Sequence, residues 1–165
     1  ITNLKLFDYI TDIFNPWNVF VSPDYGSAKN NAILSVKYAC ENIIVNKVRT
    51  GKNTSTFGWL LTDQTCTLDN KEIYIYDDMV DTWWTLCHLL DFIIKNIAYK
   101  TIKVIFSHAI LSCDAVKKLN AYKNKRVVFY TTDSYGSEYK KVDNCEVVSM
   151  KKIYGVYTKN ILWNL

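Results

Sequence analysis

The sequence predicts an α/β protein with an open, mostly parallel β-sheet and helices on both faces. Short apolar runs alternate with helix-length segments along the chain, which is the pattern of βαβ units. The apolar runs are continuous, as in strands buried on both sides. A length of 165 residues with 49% hydrophobic positions suits one domain with a sizeable core. We therefore expect residues 1–165 to form a single domain.

The strands and helices are predicted from apolar runs bounded by polar residues and from segments of helical length. The predicted strands are residues 19–22, 42–46, 72–76, 101–107 and 126–131, with an extra strand and turn at 57–63. The predicted helices are an opening amphipathic helix at 4–14, then 28–40, 85–96, 112–121 and a terminal helix near 151–162. Asn15 and Pro16 end the first helix.

Composition narrows the class of protein. The net charge is only +4, with 20 basic residues spread among 16 acids, so charge does not indicate nucleic-acid binding. Aromatic residues make up 15% of the chain, which favours a large core or a subunit interface and hence an oligomer. The longest apolar runs are too short for a membrane span, and no signal-peptide pattern begins the chain. The chain begins at Ile1 instead of methionine, which is typical of a processed or truncated product.

The cysteines indicate a reducing compartment. There are five of them, an odd number at wide and irregular spacing, which fits neither a disulfide framework nor a zinc site of the CxxC kind. We therefore expect buried thiols in a cytoplasmic protein.

The strongest candidate site follows the strand predicted at 72–76. In a parallel sheet, ligands bind outside the carboxyl ends of the strands, and this strand delivers Asp77 and Asp78 there. Two adjacent carboxylates can hold sugar hydroxyls directly or through Mg²⁺. The loop that follows enters a helix, whose backbone N–H groups suit a phosphate. The alternative is that the two acids only cap the helix in a solvated turn.

The string from Asp77 to Thr85 resembles the phosphoribosyl pyrophosphate motif of type I phosphoribosyltransferases and ribose-phosphate diphosphokinases. That motif has two acids, two spacers and then Asp-Thr-Gly-Gly-Thr. The resemblance implies that Asp77 and Asp78 face the ribose 2- and 3-hydroxyls. It also implies that Asp81, Thr82 and Thr85 form the loop around the 5-phosphate.

Trp83 and Trp84 stand where that family has glycines. Glycine allows positive φ and lets backbone amides approach a phosphate, whereas an indole adds bulk and resists positive φ. We therefore expect at least one indole to cover or narrow the phosphate site. Replacing both residues by glycine is then expected to strengthen ribose 5-phosphate binding.

Loops after two earlier strands resemble segments of the diphosphokinases. The run VFVSPDYGSAKN is similar to their VVSPDxGGxKR, which implies a Mg²⁺ ligand at Asp24 and a pyrophosphate loop at Gly26 and Lys29. The alternative is an ordinary Pro-Asp-x-Gly turn. Lys47 and Arg49 correspond to the Lys-x-Arg of the mobile catalytic loop, which implies cations on the ATP phosphates. A solvated basic loop is the alternative there.

Two further strings follow the family's order, SHAILSCDAV from Ser107 and TTDS from Thr131. A lone histidine such as His108 is more often a hydrogen-bonded loop residue than a catalyst, and we interpret it so. Together the matches cover essentially the whole chain. They identify a resemblance to the C-terminal half of a ribose-phosphate diphosphokinase with the type I phosphoribosyltransferase fold, using ribose 5-phosphate, ATP and Mg²⁺.

The half that supplies most ATP contacts in that family has no counterpart here, so we expect this chain to be inactive alone. Three functions remain open. The chain is part of an active diphosphokinase, or a catalytically silent paralogue that assembles with or regulates one, as a homo- or hetero-oligomer. The third is a phosphoribosyltransferase-like salvage enzyme or a simple nucleotide-binding module.

Overall fold

A computed structural model describes residues 6, 18–23, 25–51, 54–60 and 69–155, with side chains described outside 25–26 and 46–60. Within these residues one seven-stranded sheet has the strand order β3-β2-β1-β4-β5-β6-β7. The strands are β1 (Val19–Ser22), β2 (Glu41–Gly51), β3 (Thr54–Leu60), β4 (Glu72–Val80), β5 (Thr101–Ala109), β6 (Val127–Thr132) and β7 (Cys145–Val148).

The sheet is mostly parallel, as predicted. Only the β2–β3 pair is antiparallel among the described strands. The strands β1, β4, β5 and β6 are parallel neighbours, so their carboxyl ends share one edge of the sheet. This arrangement confirms the prediction for the four strands that end near Ser22, Tyr76, Ser107 and Thr131. The strand β7 was not predicted, because its residues at the sheet edge are only partly buried and lack a continuous apolar run.

Helices follow most strands. The helices are α1 (Tyr25–Lys37), α2 (Trp84–Asn96) and α3 (Ala115–Asn120), with a 3-10 helix at Glu138–Lys141 and helical residues at 150–155. The Met150 N–H of that last segment donates to Asp133 Oδ1 at 2.6 Å. Of the helices predicted at 4–14 and 151–162, only residue 6 and residues 151–155 are described, all of them helical. No helix among the described ranges is long and apolar enough to cross a membrane.

Hydrophobic clusters lie on both faces of the sheet. Alternate residues of a strand point to opposite faces, so Ile73 and Ile75 of β4 join one cluster while Tyr74 and Tyr76 join the other. The first cluster includes residues of α2 and α3. The second includes Leu34 of α1 together with residues from the 150–155 segment. Helices therefore cover both faces, as the continuous apolar runs predicted.

The strand β2 continues past the predicted end at residue 46. Lys47 pairs with Phe57, and Arg49 pairs with Ser55, in the antiparallel ladder with β3. The prediction of a loop at Lys47 and Arg49 was therefore wrong, because their backbone lies in a strand. A partner strand supplies hydrogen bonds to a segment whose polar residues indicated a loop. The extra strand predicted at 57–63 corresponds to β3, and residues 61–63 lie outside the described residues.

The cysteines are only partly as predicted. Cys40 and Cys87 are buried, and burial raises the pKa of both thiols, that of Cys40 to about 11. Cys113 is free and exposed, so the expectation of burial was wrong for it. Cys145 is half-buried, and Cys66 lies outside the described residues.

Candidate functional site

The acidic pair lies within the last residues of β4. This strand continues through Asp77 and Asp78 to Val80, whereas the sequence predicted its end at Tyr76. Asp77 is half-buried and pairs with Phe106 of β5, while Asp78 is exposed. The Asp78 backbone N–H donates to Asp77 Oδ1 at 2.9 Å. Both carboxylates therefore reach the carboxyl edge of the sheet on a rigid strand.

The interpretation of this pair as a helix cap is wrong. The N-cap residue of α2 is Trp83, and it has no side-chain cap hydrogen bond. Asp77 and Asp78 lie upstream of that position, inside β4. The first turn of a helix carries backbone N–H groups without intrahelical partners, and the helix dipole favours negative charge there. The start of α2 therefore has the chemistry of an anion site.

The residues predicted to form the phosphate loop lie between the end of β4 and the first turn of α2. Asp81 is half-buried, Thr82 is exposed and Thr85 lies in the first turn of α2. Oδ1 of Asp81 is buried and has no hydrogen-bond donor among the described residues. The loop thus has a buried acceptor on one side and the helix N-terminus on the other.

Trp83 adopts a left-handed backbone conformation, with φ 69° and ψ −9°. Only 3% of its surface is exposed, and it belongs to the cluster that α2 and α3 cover. Its ring makes edge-to-face contacts with Phe106 and Phe129, at centroid distances of 5.7 and 5.6 Å. The expectation that at least one indole covers or narrows the phosphate site is therefore not met by Trp83, whose side chain enters the core, and for Trp84 it stays a prediction.

Trp84 is the first residue of α2, and 59% of its surface is exposed. Lys118 of α3 places its Nζ 3.4 Å from the centroid of the Trp84 ring. His88, one turn further along α2, lies 6.1 Å away between ring centroids. The second indole thus packs against side chains of α2 and α3.

The loop after β5 is joined to the end of β4. The backbone N–H groups of Ile110 and Leu111 both donate to Val80 O, at 3.0 and 3.2 Å. Leu111 and Cys113 have positive φ values of 53° and 56°. These bonds hold the start of this loop against the last residue of β4.

Hydroxyl groups fasten the ends of β5 and β6 to each other. Thr132 Oγ1 donates to Ser107 O at 2.6 Å, and Ser134 Oγ lies 3.0 Å from the same carbonyl. His108 Nδ1 lies 2.7 Å from Ser134 Oγ. His108 belongs to β5 and not to a loop, but its hydrogen bond agrees with the interpretation of a structural histidine.

Asn31 is a site residue that sequence reasoning missed. It is fully buried in α1, and its Nδ2 donates to Ser27 O at 3.1 Å and to Tyr76 O at 3.3 Å. Tyr76 directly precedes the acidic pair, so Asn31 ties α1 to the strand end that carries it. Burial raises the pKa of Tyr76, and the negative charges of Asp78 and Asp77 add to that rise. A polar residue in the middle of a predicted helix was the available signal.

The other predicted site residues lie earlier in the sequence than β4. Gly26 and Lys29 lie in the first part of α1, and Lys29 is exposed. Asp24, the predicted metal ligand, lies outside the described residues. In the part of the chain that is described, no three His, Cys, Asp or Glu side chains are grouped so as to hold a metal ion.

The chain is similar in sequence to ribose-phosphate pyrophosphokinases. No protein-family model matches the chain. Over 136 residues the chain is 29% identical to ribose-phosphate pyrophosphokinase 3 of Saccharomyces cerevisiae, covering 82% of this chain and 41% of that one. Over 160 residues it is 30% identical to the ribose-phosphate pyrophosphokinase of Aquifex aeolicus, covering 94% of this chain and 48% of that one. The chain therefore spans less than half the length of these relatives.

Comparisons by structure show the fold. A crystal structure of phosphoribosylpyrophosphate synthetase from Mycobacterium smegmatis matches with a TM-score of 0.71 at 18% identity, covering 97% of this chain and 50% of that one. Orotate phosphoribosyltransferase from Aeropyrum pernix matches with a TM-score of 0.53 at 11% identity, covering 95% and 74% of the two chains. The architecture is that of the type I phosphoribosyltransferases.

Proposed function

Because the chain belongs to the ribose-phosphate pyrophosphokinase family, we propose that the carboxyl edge of its sheet binds ribose 5-phosphate. In the complete enzyme, this edge holds the sugar while its 1-hydroxyl accepts pyrophosphate from ATP. The products are phosphoribosyl pyrophosphate and AMP. Such a reaction depends on positioning and on stabilising the charge of the phosphates.

The observation that supports this proposal best is the backbone at Trp83. Its φ of 69° is a conformation that glycine adopts readily and a bulky residue rarely does. It occurs at the position where the family motif has its first glycine. The loop therefore has a backbone conformation that favours glycine at this position, although the residue is tryptophan.

The proposed sugar-binding roles are those that the family resemblance implies. Asp77 and Asp78 accept hydrogen bonds from the ribose 2- and 3-hydroxyls. The 5-phosphate lies at the first turn of α2, within the loop of Asp81, Thr82 and Thr85. The loop has no side-chain cap to compete with the phosphate for the amides.

The donor side of the reaction is assigned by family resemblance. Lys47 and Arg49 would hold the ATP phosphates and stabilise the negative charge that develops during transfer. Gly26 and Lys29 would lie along the pyrophosphate, and Asp24 would be a metal ligand. Gly26 and Lys29 lie in the helix that follows β1, the strand beside β4, whereas Lys47 and Arg49 lie in β2, on the other side of β1.

The donor set fits Mg²⁺. This ion is bound by one or two carboxylates together with substrate phosphates, and it does not need a cage of protein ligands. The half-buried Asp77 and the exposed Asp78 offer such a pair. Asp77 and Asp78 would hold the ion, which would neutralise phosphate charge.

We assign the chain to the second of the two similar halves of its relatives, because the motifs run in the order of that half. The other half supplies most ATP contacts in the family. A protein of these 165 residues thus binds the sugar phosphate, and turnover requires an oligomer or a covalent partner that supplies the rest. A silent paralogue that assembles with a complete enzyme would have the same sugar site.

The test is calorimetry with ribose 5-phosphate and Mg²⁺. We expect measurable heat with the wild type and a dissociation constant raised about tenfold or more by Asp78→Asn, because a charged hydrogen bond to a hydroxyl contributes about 1.5–3 kcal/mol. Asp69→Asn is the matched control, since Asp69 is exposed and precedes β4 at the opposite edge.

Two outcomes would contradict the proposal. If the folded wild type gives no heat with ribose 5-phosphate, the sugar site is refuted. If Asp78→Asn binds as well as Asp69→Asn, the acidic pair has no part in holding the sugar.

A further inference from the structure

We propose that Trp83 is the positioning residue of the phosphate loop, because its buried indole holds in place a backbone conformation that glycine adopts without support. This inference rests on the proposed function, since ribose 5-phosphate is the ligand that the loop would hold. In this inference, the tryptophan that stands in place of glycine supports the phosphate loop and does not block it.

The indole connects the loop to two strands. Phe106 belongs to β5 and Phe129 to β6, and the Trp83 ring meets both edge-to-face at less than 6 Å between centroids. The ring is almost completely buried. The same residue accepts the Cys87 N–H at its carbonyl, at 2.9 Å, and so begins α2. Trp83 therefore fixes how closely the loop lies against the core and where α2 begins.

The backbone of Trp83 has the form that anion sites use. A left-handed residue next to helical residues aligns successive N–H groups into a concave surface that attracts anions. At a glycine this conformation is one of several that the free loop can adopt, so a ligand must select it. At Trp83 the core contacts select it before a ligand arrives. The loop is thus pre-organised, and less conformational entropy is lost on binding.

Other contacts hold the same loop from its upstream side. The two N–H groups of the β5 loop that donate to Val80 O fix the residue before Asp81. Trp84 does not share this role, because its ring is largely exposed. The anchoring function therefore belongs to Trp83 alone of the two tryptophans.

The test compares three variants at a temperature where each is folded. Trp83→Gly restores the residue of the family but removes the anchor, and we expect the ribose 5-phosphate dissociation constant to rise about tenfold, the size of an ordering penalty of one loop residue. Trp83→Phe keeps an aromatic ring in the core and is expected to bind within about threefold of the wild type. It also removes the indole N–H, which has no acceptor among the described residues.

Tyr99→Ala is the control for lost stability. Tyr99 belongs to the same hydrophobic cluster but precedes β5, at the opposite edge of the sheet. We expect this variant to lower the melting temperature and leave ribose 5-phosphate affinity within about twofold of the wild type. If Trp83 had only a structural role, Trp83→Gly and Tyr99→Ala would bind ribose 5-phosphate with the same affinity.

Hydrogen exchange of the backbone amides at residues 82–86 gives a second measurement that needs no ligand. We expect Trp83→Gly to speed exchange there, whereas Trp83→Phe and Tyr99→Ala do not. Equal or tighter binding by Trp83→Gly would overturn the inference, as would unchanged exchange in that variant. If the wild type does not bind ribose 5-phosphate, the proposed function fails, and the exchange measurement still decides whether Trp83 orders the loop.

Discussion

At the scale of single residues, Trp83 shows how a large side chain can occupy a position that favours glycine. A left-handed conformation costs a bulky residue about 1–2 kcal/mol. Removing a buried tryptophan to alanine costs about 3–5 kcal/mol in a typical core. Because burial outweighs the backbone cost, the conformation persists, and the indole enters the core instead of the site.

Glu72 is the residue that most clearly couples stability to pH. Burial by itself raises its pKa, but the hydrogen bond and charge of Lys103, the hydrogen bond from Tyr74 and the charge of Lys100 together lower it below the ordinary value. Lys103 Nζ lies 3.2 Å from Glu72 Oε2, and Asn18 Nδ2 donates to the same oxygen at 3.1 Å. The carboxylate therefore joins β4 and β5 at the amino edge.

We predict that Glu72→Gln reduces the acid sensitivity of the fold. With a lowered folded pKa, the stabilisation is complete above the unfolded pKa of about 4.3 and is lost as the pH falls through the folded pKa. The melting temperature of the wild type should thus exceed that of Glu72→Gln near pH 7, and the difference should shrink towards pH 3. Glu138→Gln is the control, because Glu138 forms an exposed pair with Lys141, and such pairs contribute little. A difference that stays constant with pH would refute the prediction.

At the scale of elements, the carboxyl ends of neighbouring strands are held together by side chains that bind backbone carbonyls. Thr132 binds Ser107 O between β6 and β5, and Asn31 binds Tyr76 O between α1 and β4. These bonds fix the strand ends that carry the candidate site. Rigid elements position a site more accurately than loops do.

We predict that Asn31→Ala weakens both the fold and the sugar site. The amide is fully buried, and losing its hydrogen bonds should lower the free energy of unfolding by about 1–3 kcal/mol. Ribose 5-phosphate affinity should fall as well, because α1 no longer holds the residue before Asp77. Urea denaturation and calorimetry are the measurements.

Asn30→Ala is the matched control on the same helix, since Asn30 is only half-buried. Its free energy of unfolding should change by at most about 0.5 kcal/mol. If Asn31→Ala lowers stability and leaves affinity unchanged, the link between α1 and the acidic pair has no role in binding.

At the scale of the whole molecule, the chain has a complete core and less than half the length of its relatives. Hydrophobic clusters cover both faces of the sheet, so we predict that a protein of this length folds as a unit. Turnover requires more than folding and sugar binding, because the pyrophosphate donor and its acceptor must also be held in line. We therefore expect the fold and the proposed sugar site to be separable from turnover.

We predict that a polypeptide of these 165 residues binds ribose 5-phosphate but forms no phosphoribosyl pyrophosphate from it with ATP and Mg²⁺. The measurement is AMP release by the purified chain, with a complete ribose-phosphate pyrophosphokinase as the positive control. Turnover by the chain alone would show that the second half contains a full active site. Turnover that appears only on mixing with a complete but inactivated enzyme would identify assembly as its role.

The sequence alone determined the fold class and the sheet edge that carries the candidate site. Strands buried on both faces need continuous apolar runs, and helices between them need segments of helical length, so both features can be recognised without a structure. The acidic pair was found in the same way, because it directly follows such a run. The resemblance to a family motif then indicated the ligand.

Tertiary structure decided what depends on partners distant in the sequence. The backbone at Lys47 and Arg49 is a strand because β3 pairs with it. Asn31 matters because it donates a hydrogen bond to the carbonyl of Tyr76, 45 positions away. The indole of Trp83 turns inward because Phe106 and Phe129 receive it. Burial periodicity is a local property of the chain, whereas the partner that a side chain meets is fixed only when distant segments pack together.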